Sequence, residues 1–135
     1  VISVDTNVVV TFLTERDDPS KDQIRNIMTH NLILVTATVL LESEWVLRCV
    51  YHVPRVEIEL GFRRLWAMPN VSFYPSDALP KALDWAEDGL DLADALHISL
   101  SSDADQFVTS DRPFFKRSRA LGVIPPVHFV QDINL

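Results

Sequence analysis

Residues 1–7, Val1-Ile2-Ser3-Val4-Asp5-Thr6-Asn7, set the reading of the whole chain. The first four are apolar but for one serine and have the length of a short buried strand. The Asp-Thr-Asn that follows has the chemistry of a turn into a helix, and that helix is expected to reach about Thr14. The same alternation recurs downstream. Leu32–Val35, Val71–Tyr74, Gln106–Thr109 and Val127–Val130 read as four more short strands. Helical stretches separate them. One runs to about His30 from Asp18 as N-cap with Pro19 at its first position. Others run from Thr36 or Thr38 to about Val50, over Arg55–Trp66 after the break at His52-Val53-Pro54, over Ser76–Asp88 up to Gly89, over Asp91–Ser101, and within Asp111–Leu121. Strands alternating with helices imply a parallel sheet covered on both faces. The expected fold is α/β: one three-layer α/β/α sandwich over residues 1–135, with a short parallel sheet in the order 3-2-1-4-5.

Composition narrows the classes. The chain has 135 residues, 47% hydrophobic and 23% charged, with 12 basic and 19 acidic residues and a net charge of −7. That mix is globular, with a radius of gyration of roughly 14 Å expected for one domain. No apolar run reaches the ~18 residues of a membrane span, so no membrane association is expected. The lone cysteine, Cys49, excludes an intrachain disulfide and fits a reducing, cytoplasmic compartment. The chain opens directly on a strand without a leader-like segment, and with no initiator Met at least one residue is expected to precede it. The acidic balance argues against gripping nucleic acid by bulk charge but leaves room for a local carboxylate site.

Such a site is legible. Asp5 directly follows the first strand, and Asp111 follows the fourth with Ser110 between. Both fall at strand carboxyl ends, where open α/β sheets place their ligands. Glu42 lies inside the long helix with Thr38, Val39, Trp45 and Val46 as its neighbours, an expensive setting for an unpaired carboxylate. Glu44 lies four residues before Arg48, a surface ion-pair spacing. The two glutamates are about 200° apart around the helix, and Glu42 is the one assigned to the site. Asp91 and Asp94 share one helical face, with His97 beside them. Carboxylates brought together repel unless one is protonated or a cation binds. All-oxygen ligation selects Mg²⁺ or Mn²⁺, and such an ion suits phosphodiester hydrolysis. The aspartates also have a plainer reading: Asp5, Asp91 and Asp111 stand where helix N-caps are expected, with Asp94 as an acidic N3, whereas the face of Glu42 offers no basic partner.

Four segments in order, Val4-Asp5-Thr6-Asn7, Leu41-Glu42 with Trp45-Val46-Leu47, Asp91-Leu92-Ala93-Asp94-Ala95-Leu96-His97, and Thr109-Ser110-Asp111-Arg112, together resemble the PIN-domain family. The likeness is to the VapC-type toxins of bacterial toxin–antitoxin pairs in particular, and it spans Val1 to about Phe129. It implies an endoribonuclease dependent on Mg²⁺ or Mn²⁺, with Asp5, Glu42, Asp94 and Asp111 as catalytic metal ligands. Thr6, Asn7 and Thr109 match small polar supporting positions, and Asp91 is an additional acid suited to an outer-shell water. The partners implied are RNA, a small VapB-like antitoxin that lays a basic side chain near the carboxylates, and a second copy in a homodimer.

Four of the twelve bases, Arg112, Lys116, Arg117 and Arg119, cluster beside Asp111 and interleave with Phe114 and Phe115. They are expected to hold RNA phosphates, against the plainer reading of a solvated helix with aromatic core residues. Cys49, Trp45, Trp66 and Trp85 are expected to pack in the core, with Leu60–Trp66 an alternative lining for a dimer or antitoxin groove. His97 is assigned a structural or supporting role, and His30, His52 and His128 form no zinc pattern. Two other classes stay in view. An aspartyl-phosphate phosphatase or phosphoacceptor needs a second acid two residues after Asp5, where this chain has Asn7, or a lysine nearby, and the lysines are only Lys21, Lys81 and Lys116. A non-catalytic PIN module with a degenerate site would lack some of the four acids.

Overall fold

Ile2–Ser3 forms β1, and Asp5 then caps α1 (Thr6–Thr14). A computed structural model describes residues 1–133, and its order continues with α2 (Lys21–His30), β2 (Ile33–Thr36), α3 (Ala37–Cys49), α4 (Arg55–Ala67) and β3 (Val71–Tyr74). After these come α5 (Ala78–Glu87), α6 (Leu92–Ser99), β4 (Phe107–Thr109), α7 (Arg112–Leu121) and β5 (Val127–Phe129), with a 3₁₀ turn over Val130–Asp132. The chain is α/β with short parallel strands. It divides into two compact units, Val1–Asp77 and Ala78–Leu135.

In the first unit β2 is the central strand. It pairs in parallel with β1 (Ile2 opposite Ile33) and with β3 (Ile33 opposite Val71), giving the order 3-2-1. Ile33 and Val35 of β2 are fully buried, as are Val9, Met28, Phe62 and Leu65 of the flanking helices. Asn70 fixes the entry to β3: its amide donates to the Met28 and Asn31 carbonyls at 2.7 and 2.8 Å. In the second unit β4 and β5 pair in parallel (Phe107 opposite Val127). Helices α5 and α6 pack through small and branched side chains, Ala82, Leu83 and Ala86 with Ala95, Leu96 and Ile98, all buried. Gly122 ends α7 at φ 64°, the left-handed region that a Cβ disfavours. The orders 3-2-1 and 4-5 match the corresponding parts of the expected order 3-2-1-4-5. Among the described residues the five strands hydrogen-bond as two ladders. No helix among those residues is long and apolar enough to cross a membrane.

Four expectations are corrected. Helix α2 begins at Lys21, not Pro19: the Lys21 N–H donates to the Asp18 carbonyl at 3.0 Å and closes a turn over Pro19 and Ser20, and the helical ladder opens with the Ile24 N–H on the Ser20 carbonyl at 2.8 Å. Cys49 is exposed. The buried stripe of α3 is Leu40, Ser43, Glu44 and Leu47, and Cys49 is two residues beyond Leu47, on the opposite side. Trp45, two residues beyond Ser43, is 54% exposed for the same reason. Trp66 is also partly exposed, although its ring lies 5.2 Å from that of Phe73.

Candidate functional site

Asp5 is held where β1 gives way to α1. Its backbone is extended, and its Oδ1 accepts the Thr6 N–H at 2.7 Å. The capping role is therefore observed. A cap bond occupies one carboxylate oxygen and leaves further acceptor capacity on an exposed side chain. Asp5 lines a cavity of about 290 Å³ with Thr6, Asn7, Val10, Arg16, Glu42, Val46 and Tyr51. The first unit thus brings together Asp5, Glu42, Thr6 and Asn7. Thr6 is buried, and Asn7 is exposed at the cavity.

The two glutamates of α3 exchange the environments expected of them. Glu42 is exposed, and Glu44 is 3% exposed. The expected Glu44–Arg48 pair is present, with Arg48 Nε donating to Oε1 at 2.7 Å and Nη2 reaching Oε2 at 3.5 Å, but it is part-buried rather than a surface pair. The argument from desolvation therefore belongs to Glu44. Glu42 keeps its place at the cavity beside Asp5, as a solvated carboxylate suited to a ligand.

In the second unit Asp91 caps α6, accepting the Ala93 and Asp94 N–H groups at 3.0 and 3.3 Å. Asp94 follows in the first turn, and both side chains are half-buried. Asp111 caps α7 by accepting the Phe114 N–H at 3.1 Å. The Asp111 N–H donates to Thr109 Oγ1 at 3.0 Å, which ties the end of β4 to the start of α7. Asp91, Asp94 and Asp111 line a cavity of about 120 Å³ with Leu90, Pro113, Phe114 and Arg117. His97 is exposed on α6.

The basic segment divides into two faces. Arg112, Lys116 and Arg119 recur at helical spacing along one exposed side of α7. Arg112 lies 4.4 Å over the Phe129 ring and Arg119 5.6 Å over Phe115. Phe114 is buried against Phe107 at 5.9 Å. Arg117 turns the other way: its Nη1 donates to the Gly89 carbonyl at 3.4 Å, and it belongs to the acidic cavity.

The donor chemistry fits a hard divalent cation: each cavity offers carboxylate oxygens with no thiol or imidazole. Among the described residues, no group of three or more His, Cys, Asp or Glu side chains forms a preformed cage. Mg²⁺ does not need one, since it keeps several waters and takes one or two carboxylates. The pair Asp5 and Glu42, or a pair drawn from Asp91, Asp94 and Asp111, meets that demand.

Sequence reasoning missed two residues of the first cavity, Arg16 and Tyr51. Neither belongs to a motif, and they are 35 positions apart in the chain; only folding sets the Arg16 guanidinium 4.9 Å over the Tyr51 ring. The family model described as the PIN domain matches residues 2–120. No curated protein and no solved structure gives a significant match.

Proposed function

The chain belongs to the PIN-domain family, and from that premise we propose that it is a divalent-metal-dependent endoribonuclease of the VapC toxin type. PIN domains are generally nucleases and typically use divalent metal ions. The observation that carries the finer reading is that both acidic cavities are lined by the family-matching carboxylates, with an arginine at each. Asp5 and Glu42 in the first unit, and Asp94 and Asp111 in the second, are the proposed metal ligands and catalytic acids. When bound, the Mg²⁺ or Mn²⁺ ion supplies Lewis acidity that activates water and offsets charge on the phosphoryl oxygens.

The remaining work falls to the chain's own groups. The cap hydrogen bonds of Asp5, Asp91 and Asp111 orient these carboxylates at the starts of their helices. Thr109 fixes the Asp111 backbone, Thr6 and Asn7 shape the first cavity, and Asp91 orients an outer-shell water. Arg112, Lys116 and Arg119 hold RNA phosphates along α7, and Arg117 draws the strand toward Asp94 and Asp111.

The proposed protein partners are a VapB-like antitoxin and a second copy of the chain, in the cytoplasm. Supporting an antitoxin is a cavity of about 480 Å³ of mixed lining, with Leu47, Val53 and Ile58 beside Thr14, Glu57 and Arg64. It suits an apolar anchor from a partner helix.

Incubating the purified chain with end-labelled RNA tests the activity. Discrete products in Mg²⁺ or Mn²⁺, absent in EDTA, are expected. Phosphate release from a small phosphomonoester without RNA cleavage contradicts the proposal and favours the phosphatase class.

A further inference from the structure

We propose that Arg16, seated on Tyr51, is a phosphate-binding residue at the first acidic cavity and holds an RNA phosphate beside Asp5 and Glu42. This rests on the nuclease reading and adds a residue to it. Arg16 follows directly on the left-handed C-cap of α1, Glu15 at φ 51° and ψ 28°. That turn brings its side chain back to the cavity that α1 opens at Asp5.

Two contacts hold the guanidinium. It lies 4.9 Å over the Tyr51 ring, and Nη2 donates to Asp18 Oδ2 at 3.4 Å. Asp18 is itself fixed by the Ser20 N–H, which holds its carboxyl below the usual range. The Arg16 side chain remains 35% exposed.

The ion partner of Arg16 is Asp18 and not Asp5 or Glu42. Its charge therefore stands at the cavity without occupying the carboxylates proposed for the metal. A guanidinium has five N–H donors in a planar fork matched to phosphate, and the Asp18 bond uses one. Stacking and the ion pair restrict the long side chain before any ligand arrives, so less entropy is lost on binding. A half-buried phosphate-binding arginine also answers the chain's net charge of −7: it offsets, at one point, the repulsion between the carboxylates and a polyanion. Tyr51 is a positioning residue that acts through Arg16.

The test is binding of a single-stranded RNA oligonucleotide to the full chain in EDTA, by fluorescence anisotropy over a salt series. Arg16→Ala is expected to weaken binding about tenfold, the scale of one charge-assisted hydrogen bond. It should also lower the slope of log K against log salt by about 0.7, the value for one phosphate contact on a single strand. Arg16→Lys should recover the slope but only part of the affinity. Tyr51→Phe should bind as wild type, and Tyr51→Ala should weaken binding with the slope kept.

Wild-type affinity and slope in Arg16→Ala overturn the proposal, as does failure of the wild-type chain to bind RNA. The nuclease reading fails separately. If Arg16→Ala loses binding but the wild-type chain cleaves nothing in Mg²⁺ or Mn²⁺, Arg16 keeps its assignment and the hydrolytic role falls. If the wild type cleaves and Arg16→Ala changes neither KM nor kcat, the Arg16 assignment falls alone.

Discussion

Exchanging the roles of two glutamates on one helix gives a prediction in which stability and activity separate. Glu44 is 3% exposed and forked onto Arg48, whose side chain is 32% exposed. Removing Arg48 leaves a carboxylate stranded in the interior. Breaking a buried pair from one side costs about 3–5 kcal/mol, and the partial exposure of Arg48 puts Arg48→Ala near the lower end, about 3 kcal/mol. Removing Glu44 instead leaves a guanidinium that can reach water, so Glu44→Ala should cost about 1.5–2 kcal/mol, mainly for the lost packing and hydrogen bonds. At ~2.1 cal/mol/K per residue, a chain of 135 residues loses roughly 10 °C in Tm for Arg48→Ala and about 6 °C for Glu44→Ala. Glu42→Gln changes an exposed side chain and should stay within about 0.5 kcal/mol of wild type, yet cut RNA cleavage at least a hundredfold. Thermal melts followed by circular dichroism, paired with cleavage of end-labelled RNA, read both quantities. A wild-type Tm in Arg48→Ala, or cleavage lost in Glu44→Ala at a temperature where it is folded and kept in Glu42→Gln, refutes the reasoning.

Other substitutions separate capping from chemistry. Asp111→Ser retains an N-cap oxygen for the Phe114 N–H and should melt near wild type. Asp111→Ala should lose about 1 kcal/mol; both should lose cleavage. Replacing Arg112, Lys116 and Arg119 together by alanine should lower the salt slope of RNA binding by about 2, with three contacts at ~0.7 each on a single strand; an unchanged slope in anisotropy assigns that face of α7 to solvent alone. Asp18 has its pKa lowered in the folded state, chiefly by the Ser20 N–H and then by Arg16. Its stabilising contribution is therefore present above the ordinary carboxylate pKa and is lost as pH falls through the lowered folded value. Asp18→Asn should flatten that part of the Tm–pH profile below about pH 4, and a profile identical to wild type argues against the turn.

The fold was legible because every strand is a short apolar run bounded by turn chemistry, and because helix ends carry their signals: Asp5, Asp91 and Asp111 as caps and Gly122 at positive φ. The start of α2 was misread because an aspartate followed by proline opens a turn as readily as a helix, and here the Lys21 N–H closes that turn on the Asp18 carbonyl. On α3 the stripe Leu40-Ser43-Glu44-Leu47 was present in the sequence at helical spacing. The apolar Val39, Trp45 and Val46 around Glu42 drew the core to the wrong side. Periodicity reports which residues share a face but not which face the rest of the chain covers. Arg16 and Tyr51 were invisible for a different reason: their meeting depends on the left-handed turn at Glu15, which no local pattern announces.

The central claim is that these carboxylates support metal-dependent RNA hydrolysis, and Asp94 tests it most directly, since it is the family-matching aspartate that caps no helix. The measurement is the single-turnover cleavage rate of one RNA oligonucleotide by wild type and Asp94→Asn across a Mn²⁺ titration. Saturable, EDTA-sensitive cleavage by the wild type is predicted, with a rate at least a hundredfold lower in the variant at every Mn²⁺ concentration. Equal rates for the two proteins, or wild-type cleavage that persists in EDTA, contradict the claim.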